Sequence, residues 1–282
     1  MTTKFFIYTK KDGYSVQDIT GCQIINPASY AGTILLYPEE SIDIHYNNAI
    51  LEGSLIEWCK EFCGSDGVFV DIGAHTGSYA VSLSPKCQSV YAFEPHERNF
   101  YALCGSVALS NRQNIHCFRL GLGSPEQVGQ AILKIQNEDG GNSFVGDFSE
   151  GFSEQGTPFT LPITPLIEGG FGEAIAGISE ASPSVPCIIR QETVELITLD
   201  IFFNNHPLTA PIKLIKIDVE NNELNVLKGA VKTLEQNGYP KLVFEKHSDE
   251  NENQKLVDFI RSNLGYYVQP ISGYGHMYLA SR

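Results

Sequence analysis

The apolar run Val68-Phe69-Val70 ends in Asp71-Ile72, meets a turn, Gly73-Ala74-His75-Thr76-Gly77, and leads into a small-residue helix start at Ser78. A strand that feeds a glycine turn and a helix N-terminus offers a cofactor backbone N–H groups and the positive end of a helix dipole. The next apolar run, Ser89-Val90-Tyr91-Ala92-Phe93, ends in Glu94-Pro95. A carboxylate about 20 residues past the glycine turn is placed to grip a ribose hydroxyl. The turn itself separates cofactor classes. A dinucleotide needs Gly-x-Gly-x-x-Gly so that the backbone can close on a pyrophosphate, and here His75 and Thr76 fill the middle. S-adenosylmethionine has no phosphate and needs a turn that passes close to its amino-acid tail. Asp71 suits the ammonium of that tail, Glu94 the ribose, and Pro95 the flat side of the adenine. The expected cofactor set is Asp71, Gly73, His75, Thr76, Gly77, Ser78, Glu94 and Pro95. A strand-end carboxylate such as Glu94 also suits capping of the following helix, and both roles can coexist.

A second group of residues breaks an apolar strand. Lys213-Leu-Ile-Lys216-Ile-Asp218-Val-Glu220 reads as a central parallel strand, which should be continuously apolar. Lys216 and Asp218 alternate onto one face, with Glu220 beyond them. Burying such charges is costly unless they pair or do chemistry. In doubly wound sheets ligands sit at the carboxyl ends of the strands, and Asp218 would lie there beside Glu245-Lys246-His247. A purely structural Lys216–Asp218 ion pair is the alternative.

These residues need a scaffold. Leu51, Leu55, Trp58 and Phe62 have helical spacing. Strands are expected at Val68–Asp71, Val90–Glu94, Ile115–Leu120, Ile212–Val219 and Lys241–Glu245, with helices between them. One helix is striped by Leu224, Leu227, Val231 and Leu234 and stopped by Gly238 and Pro240. Tyr266–Ile271 and His276–Ala280 flank a glycine turn and read as a hairpin. The expectation is an α/β fold: a mostly parallel sheet with helices on both faces and a C-terminal antiparallel hairpin. Residues 1–50 read as an N-terminal cap or lid, and 51–282 as the main domain. Within it, about 136–191 is rich in Gly, Ser, Pro and Glu and lacks periodicity, which suggests a lengthened loop on the substrate side or an idle surface insertion.

The net charge of −14 argues against a nucleic-acid partner, which needs a basic face. Seven cysteines, an odd number scattered through expected helices and strands, suit reduced thiols in a cytoplasmic protein better than a disulfide framework. The N-terminus lacks the apolar region of a signal peptide, and no run is long enough to span a membrane.

Val70-Asp-Ile-Gly-Ala-His-Thr-Gly77, Phe93-Glu-Pro95 with Asn99-Phe-Tyr-Ala-Leu103, Thr198-Leu-Asp200, and Ile215-Lys-Ile-Asp-Val-Glu220 with Glu223-Leu-Asn-Val-Leu-Lys-Gly-Ala230 occur in the order seen in FkbM-type methyltransferases. The chain resembles that family from about residue 66 to 247, most specifically in the last block. Two departures stand out: Asn221 replaces a usual glycine, and Ser106 replaces a usual asparagine. The resemblance implies the class I methyltransferase fold, a Rossmann-like sheet, and an S-adenosylmethionine-dependent enzyme acting on a hydroxyl of a sugar, glycoconjugate or related small molecule. An RNA or protein methyltransferase, or a catalytically silent cofactor-binding module, are the alternatives. Because the sulfonium methyl is already activated, the protein mainly aligns the groups, and a base helps a weakly nucleophilic hydroxyl. The catalytic candidates are Asp218, Lys216, Glu220, Glu245 and His247, with Asp218 the preferred base and Lys216 orienting it. Asp218 and Glu245 are equally oxygen donors for Mg²⁺, a choice the sequence leaves open, as it does the oligomeric state.

Overall fold

The computed structural model describes residues 6–10, 14–18, 22–25, 35–38, 52–135, 143–146, 190–247 and 249–282. The chain runs through β1 (Phe6–Lys10), β2 (Tyr14–Asp18), β3 (Cys22–Ile25), β4 (Leu35–Pro38), α1 (Gly53–Cys59), β5 (Val68–Ile72) and α2 (Ser78–Leu83). Next come β6 (Ser89–Phe93), α3 (Glu97–Leu109), β7 (Ile115–Phe118), β8 (Gly121–Leu122), β9 (Gly129–Ile135), β10 (Ser143–Gly146) and β11 (Arg190–Ile197). It continues with α4 (Leu199–Asn205), β12 (Ile212–Ile217), α5 (Glu223–Lys228), α6 (Val231–Gln236), β13 (Lys241–Glu245), α7 (Glu250–Asp258), β14 (Tyr267–Ile271) and β15 (Tyr274–Ser281).

Seven strands form the main sheet in the order β14-β15-β13-β12-β5-β6-β7. All neighbours from β13 to β7 pair parallel, and only β15 runs against the rest. The order reverses at β5, which lies between β6 and β12, so the crevice outside their carboxyl ends is the topological switch point. Strand alternation sends Val68, Val70 and Ile72 into one core with Phe93, Phe202, Ile215 and Ile217. Phe69 enters the other core with Leu55, Ile56, Tyr79, Leu83 and Leu214. Both faces are therefore covered, as the near-continuous apolar strands require. Among the described residues no helix is long and apolar enough to cross a membrane.

Two features depart from the sequence reading. The expected single helix through Leu224 and Leu234 is two, α5 and α6, broken at Gly229-Ala230. A Cβ on Gly229 would stand 2.1 Å from the Gly123 carbonyl oxygen, so the chain here runs against a neighbouring loop. Asp200 N–H donates to the Gly229 oxygen at 2.9 Å, and the Asp200 carboxylate accepts from Thr233 N–H at 2.7 Å, which caps α6. Thr198 caps α4 in turn by accepting from Ile201 N–H. Thr198-Leu-Asp200 is thus the clamp that joins α4 to α6.

The second departure is a four-stranded sheet, β10-β9-β11-β8, that the sequence reading lacked. β9 and β11 pair antiparallel with Arg190 opposite Ile135, and Ala131, Leu133, Ile135, Val194 and Leu196 form a small core of their own. The irregular stretch expected at 136–191 is what joins these two strands. Residues 136–142 and 147–189 of it lie outside the described residues, as does most of the expected cap. From the N-terminal part, Leu35 and Leu36 of β4 are buried, and Leu36 N–H donates to Ser106 Oγ at 2.9 Å. That contact gives the serine at 106 a role at α3, where it also donates to Ala102 O.

Candidate active site

The carboxyl ends of β5, β6, β12 and β13 deliver the charged residues. Asp71 follows Phe69 on the same face of β5 and is in register with Lys216 of β12. Asp218 lies two residues beyond Lys216, just past the β12–β13 pairing of Ile217 with Phe244, so it meets Glu245.

Lys216 is almost fully buried and ties these groups together. Its Nζ is 2.9 Å from Asp218 Oδ2 and 4.0 Å from Asp71 Oδ1, and it donates to the Gly73 carbonyl at 3.1 Å. Burial works against its charge, but Asp218 and Asp71 outweigh that and hold the ammonium above the ordinary lysine range. The same pairing wins at Asp218: burial would raise its carboxyl, yet Lys216 keeps it below the usual carboxylate range. Asp218 is a third exposed, so an ionised oxygen faces the crevice while its partner is sealed beneath it.

The glycine turn is built by backbone geometry. Gly73 (φ +76°) brings its Cα against the Asp218 carbonyl, and Gly77 (φ +95°) caps α2 in the left-handed region. Gly73 and Ala74 N–H groups both donate to Phe93 O, which ties the turn to the end of β6. Asp71 is fully buried below it, and neither of its oxygens has a hydrogen-bond partner among the described residues. Burial pushes its carboxyl up to about 6. Thr76 is also fully buried with an unpartnered hydroxyl. Unpaired buried acceptors at a strand end fit a ligand that brings donors. Ser78 opens α2 directly behind the turn.

Glu94 bridges the turn and the next helix. Its Oε2 accepts from His75 N–H at 2.8 Å and its Oε1 from His96 N–H at 2.9 Å. Each carboxylate oxygen has capacity for a second donor, so this capping role leaves room for a ribose. Burial pushes Glu94 up to about 7, against the pull of those two N–H groups. Pro95 follows, and a Cβ added at Gly121 of β8 would stand 3.7 Å from the Pro95 Cβ.

On the other side of the crevice, carboxylate oxygens of Asp218, Glu220 and Glu245 all lie within 4.8 Å of one another. That spacing suits oxygen ligation of a hard cation. Burial, then the Asp218 and Glu220 charges, push Glu245 up to about 8. Glu220 (φ +53°) and Asn221 (φ +74°) are consecutive non-glycine residues in the left-handed region. This explains a glycine preference at 221, and asparagine is among the side chains that tolerate the conformation best. Glu223, absent from the expected site, holds this turn by accepting from Val219 N–H at 3.0 Å. His247 stands apart from the triad: its Nδ1 accepts from Asp249 N–H in the loop before α7.

Sequence reasoning also passed over Tyr79 and Glu52. The Tyr79 ring lies 5.0 Å from Lys216 Nζ, and its hydroxyl donates to Glu52 Oε2 at 2.6 Å. Tyr79 occupies an apolar-looking position on α2, and Glu52 is far away in the sequence, so neither carries a motif.

A family model described as the methyltransferase FkbM domain matches residues 71–270, from the carboxylate at the end of β5 into β14. No curated protein matches the chain. Among solved structures the chain is similar to an rRNA methylase from Streptococcus thermophilus, at 10% identity and TM-score 0.41, covering 81% of this chain and 92% of that one. It is similar to a putative methyltransferase from Streptococcus mutans in complex with SAH, at 12% identity and TM-score 0.41, covering 80% and 94%. A precorrin-6y C5,15-methyltransferase from Geobacter metallireducens gives 10% identity and TM-score 0.42, covering 83% and 92%. At these TM-scores the likenesses add nothing to the strand order itself.

Proposed function

The chain belongs to the FkbM methyltransferase family, and from that premise we propose that it methylates a hydroxyl of a sugar, glycoconjugate or related small molecule. Its methyl donor is S-adenosylmethionine. The observation that carries the hydroxyl reading is Asp218, an ionised and partly exposed carboxylate fixed by a buried lysine at the switch point of the sheet. When bound, the cofactor supplies a methyl group already activated by its positive sulfur. Asp71, whose oxygens accept no hydrogen bond among the described residues, takes the ammonium of the amino-acid tail. Glu94 takes the ribose, and the turn from Gly73 to Ser78 passes along the tail. Asp218 accepts the hydroxyl proton as the oxygen attacks. Lys216 keeps Asp218 ionised and oriented, while Glu220 and Glu245 line the acceptor side. His247, whose Nδ1 accepts from Asp249 N–H, is given no step in this reading.

The acidity of the chain, −14 overall, disfavours polyanionic acceptors and favours neutral or cationic hydroxylated ones. Labelled S-adenosylmethionine offered with panels of glycans and small hydroxylated metabolites tests this. Transfer to a hydroxyl in those panels is expected. Robust methylation of RNA, DNA or protein at physiological salt, with no transfer to any hydroxylated small acceptor, would overturn it.

The cofactor site makes its own prediction. Glu94→Ala should weaken S-adenosylhomocysteine binding by about 1–3 kcal/mol through loss of a charge-assisted contact. Because the folded Glu94 carboxyl lies near 7, above its ordinary value of 4.5, the ligand-free fold favours the protonated form. That contribution to stability is present at low pH and is lost as pH rises toward 7. Ribose hydroxyls favour the ionised form, so affinity should rise up to about tenfold between roughly pH 6 and 8. Glu94→Gln should flatten that rise. Calorimetry across this range checks both, and a pH-independent wild type with an unaffected Glu94→Ala variant would remove Glu94 from the site.

A further inference from the structure

We propose that Glu52, outside the family match, is a positioning residue that neutralises Lys216 through Tyr79 and thereby fits the glycine turn to a positively charged cofactor. The inference rests on the reading that the cofactor's tail and sulfur lie along the Gly73–Gly77 turn.

The need arises from Lys216. Its ammonium donates to the carbonyl of Gly73 at 3.1 Å, directly beneath the turn. A bare cation there would repel the positive sulfur of the cofactor. Asp218 at 2.9 Å and Asp71 at 4.0 Å answer part of that charge. Both have other demands: Asp218 faces the acceptor crevice beside Glu245, and Asp71 is assigned to the ammonium of the tail.

Glu52 supplies a third carboxylate on the remaining side. Its Oε2 accepts the Tyr79 hydroxyl at 2.6 Å, and its Oε1 meets His276 Nε2 of β15 at 3.0 Å. A phenol that donates to a carboxylate has a more electron-rich ring, and the Tyr79 ring lies 5.0 Å from Lys216 Nζ. The cation–π contact therefore carries the charge of Glu52 toward the lysine. Glu52 is held for this geometry. It adopts φ +56°, uncommon for a residue with a side chain, immediately before α1. α1 is pinned to the C-terminal hairpin by Leu55 N–H donating to the Tyr274 hydroxyl at 3.1 Å.

Two ligands that differ by one methyl group and one charge separate this role from a structural one. Calorimetry with S-adenosylmethionine and S-adenosylhomocysteine on Glu52→Gln should show the charged ligand weakened by roughly 3–10-fold and the neutral-sulfur ligand by less than about twofold. Tyr79→Phe keeps the ring, removes the hydroxyl, and should shift the ratio in the same direction by less. Equal weakening of both ligands, or no change in either, would overturn the role of Glu52. If Glu52→Gln melts too low to assay, the Tyr79→Phe ratio decides alone, with an unchanged ratio counting against it. A wild type that binds neither ligand would instead refute the placement of the cofactor on the turn.

Discussion

Asp218→Asn should lower the methyl-transfer rate by roughly 10²–10⁴-fold and leave S-adenosylhomocysteine affinity nearly unchanged. Asparagine preserves the shape of the side chain and removes its ability to take a proton. Lys216 Nζ sits 2.9 Å from Asp218 Oδ2, and an amide oxygen can still accept from it, so the strand end should keep its form. The expected loss is in the chemical step. Two other outcomes are distinct in kind. If the pair serves only the fold, the variant should melt lower while each folded molecule turns over at nearly the wild-type rate. Asp218, Glu220 and Glu245 have carboxylate oxygens within 4.8 Å of one another. If they act by holding Mg²⁺, chelator should inhibit the wild type and added Mg²⁺ should restore it. Rate, binding and melting of one variant, with and without chelator, separate the three. A near-normal rate per folded molecule would end the case for Asp218 as the base.

The parts of the site that were legible in sequence are those where a residue contradicts its local pattern. Lys216 and Asp218 interrupt a strand that should be apolar, and the structure puts that strand at the centre of the sheet, fourth from either edge. Gly73 and Gly77 stood out because a strand runs directly into them, and both adopt positive φ. The parallel strands were readable from their β-branched runs, with ends displaced by one or two residues. What escaped depends on distant partners. β9 and β11 alternate apolar and polar residues, yet each makes sense only when paired across the irregular stretch between them. The stripe from Leu224 to Leu234 has helical period throughout, yet the structure breaks it at Gly229-Ala230, where the distant Asp200 N–H donates to the Gly229 oxygen. Glu52 reaches Tyr79 and His276 across 27 and 224 positions of the sequence, and no local pattern encodes such contacts.

Gly73→Ala should be among the most damaging substitutions in the chain, and its effect should fall on the fold as well as on the site. An added Cβ would lie 1.8 Å from the Asp218 carbonyl oxygen and 2.9 Å from its carbonyl carbon. Those atoms are backbone and cannot rotate away. Nor can the strands part: Asp218 N–H donates to Ile72 O at 3.1 Å, and Gly73 N–H donates to Phe93 O at 3.0 Å, so the turn is stitched on both sides. The φ of +76° adds the left-handed cost of about 1–2 kcal/mol. Together strain and displacement should remove on the order of 3–5 kcal/mol, which lowers the melting temperature by roughly 10 °C in a domain of this size. Gly238→Ala is the matched control. It shares a left-handed φ of +68°, but no atom of the described residues lies within 4 Å of its added Cβ. It should lose only about 1–2 kcal/mol. Moving Gly73 away from Asp218 also pulls its carbonyl from Lys216, to which it is bonded at 3.1 Å, so S-adenosylhomocysteine should stabilise Gly73→Ala less than the wild type. Melting curves of both variants with and without the ligand test this. Equal losses at the two glycines would mean that the turn yields to a side chain, and that the closeness of the Asp218 carbonyl is not what demands glycine at 73.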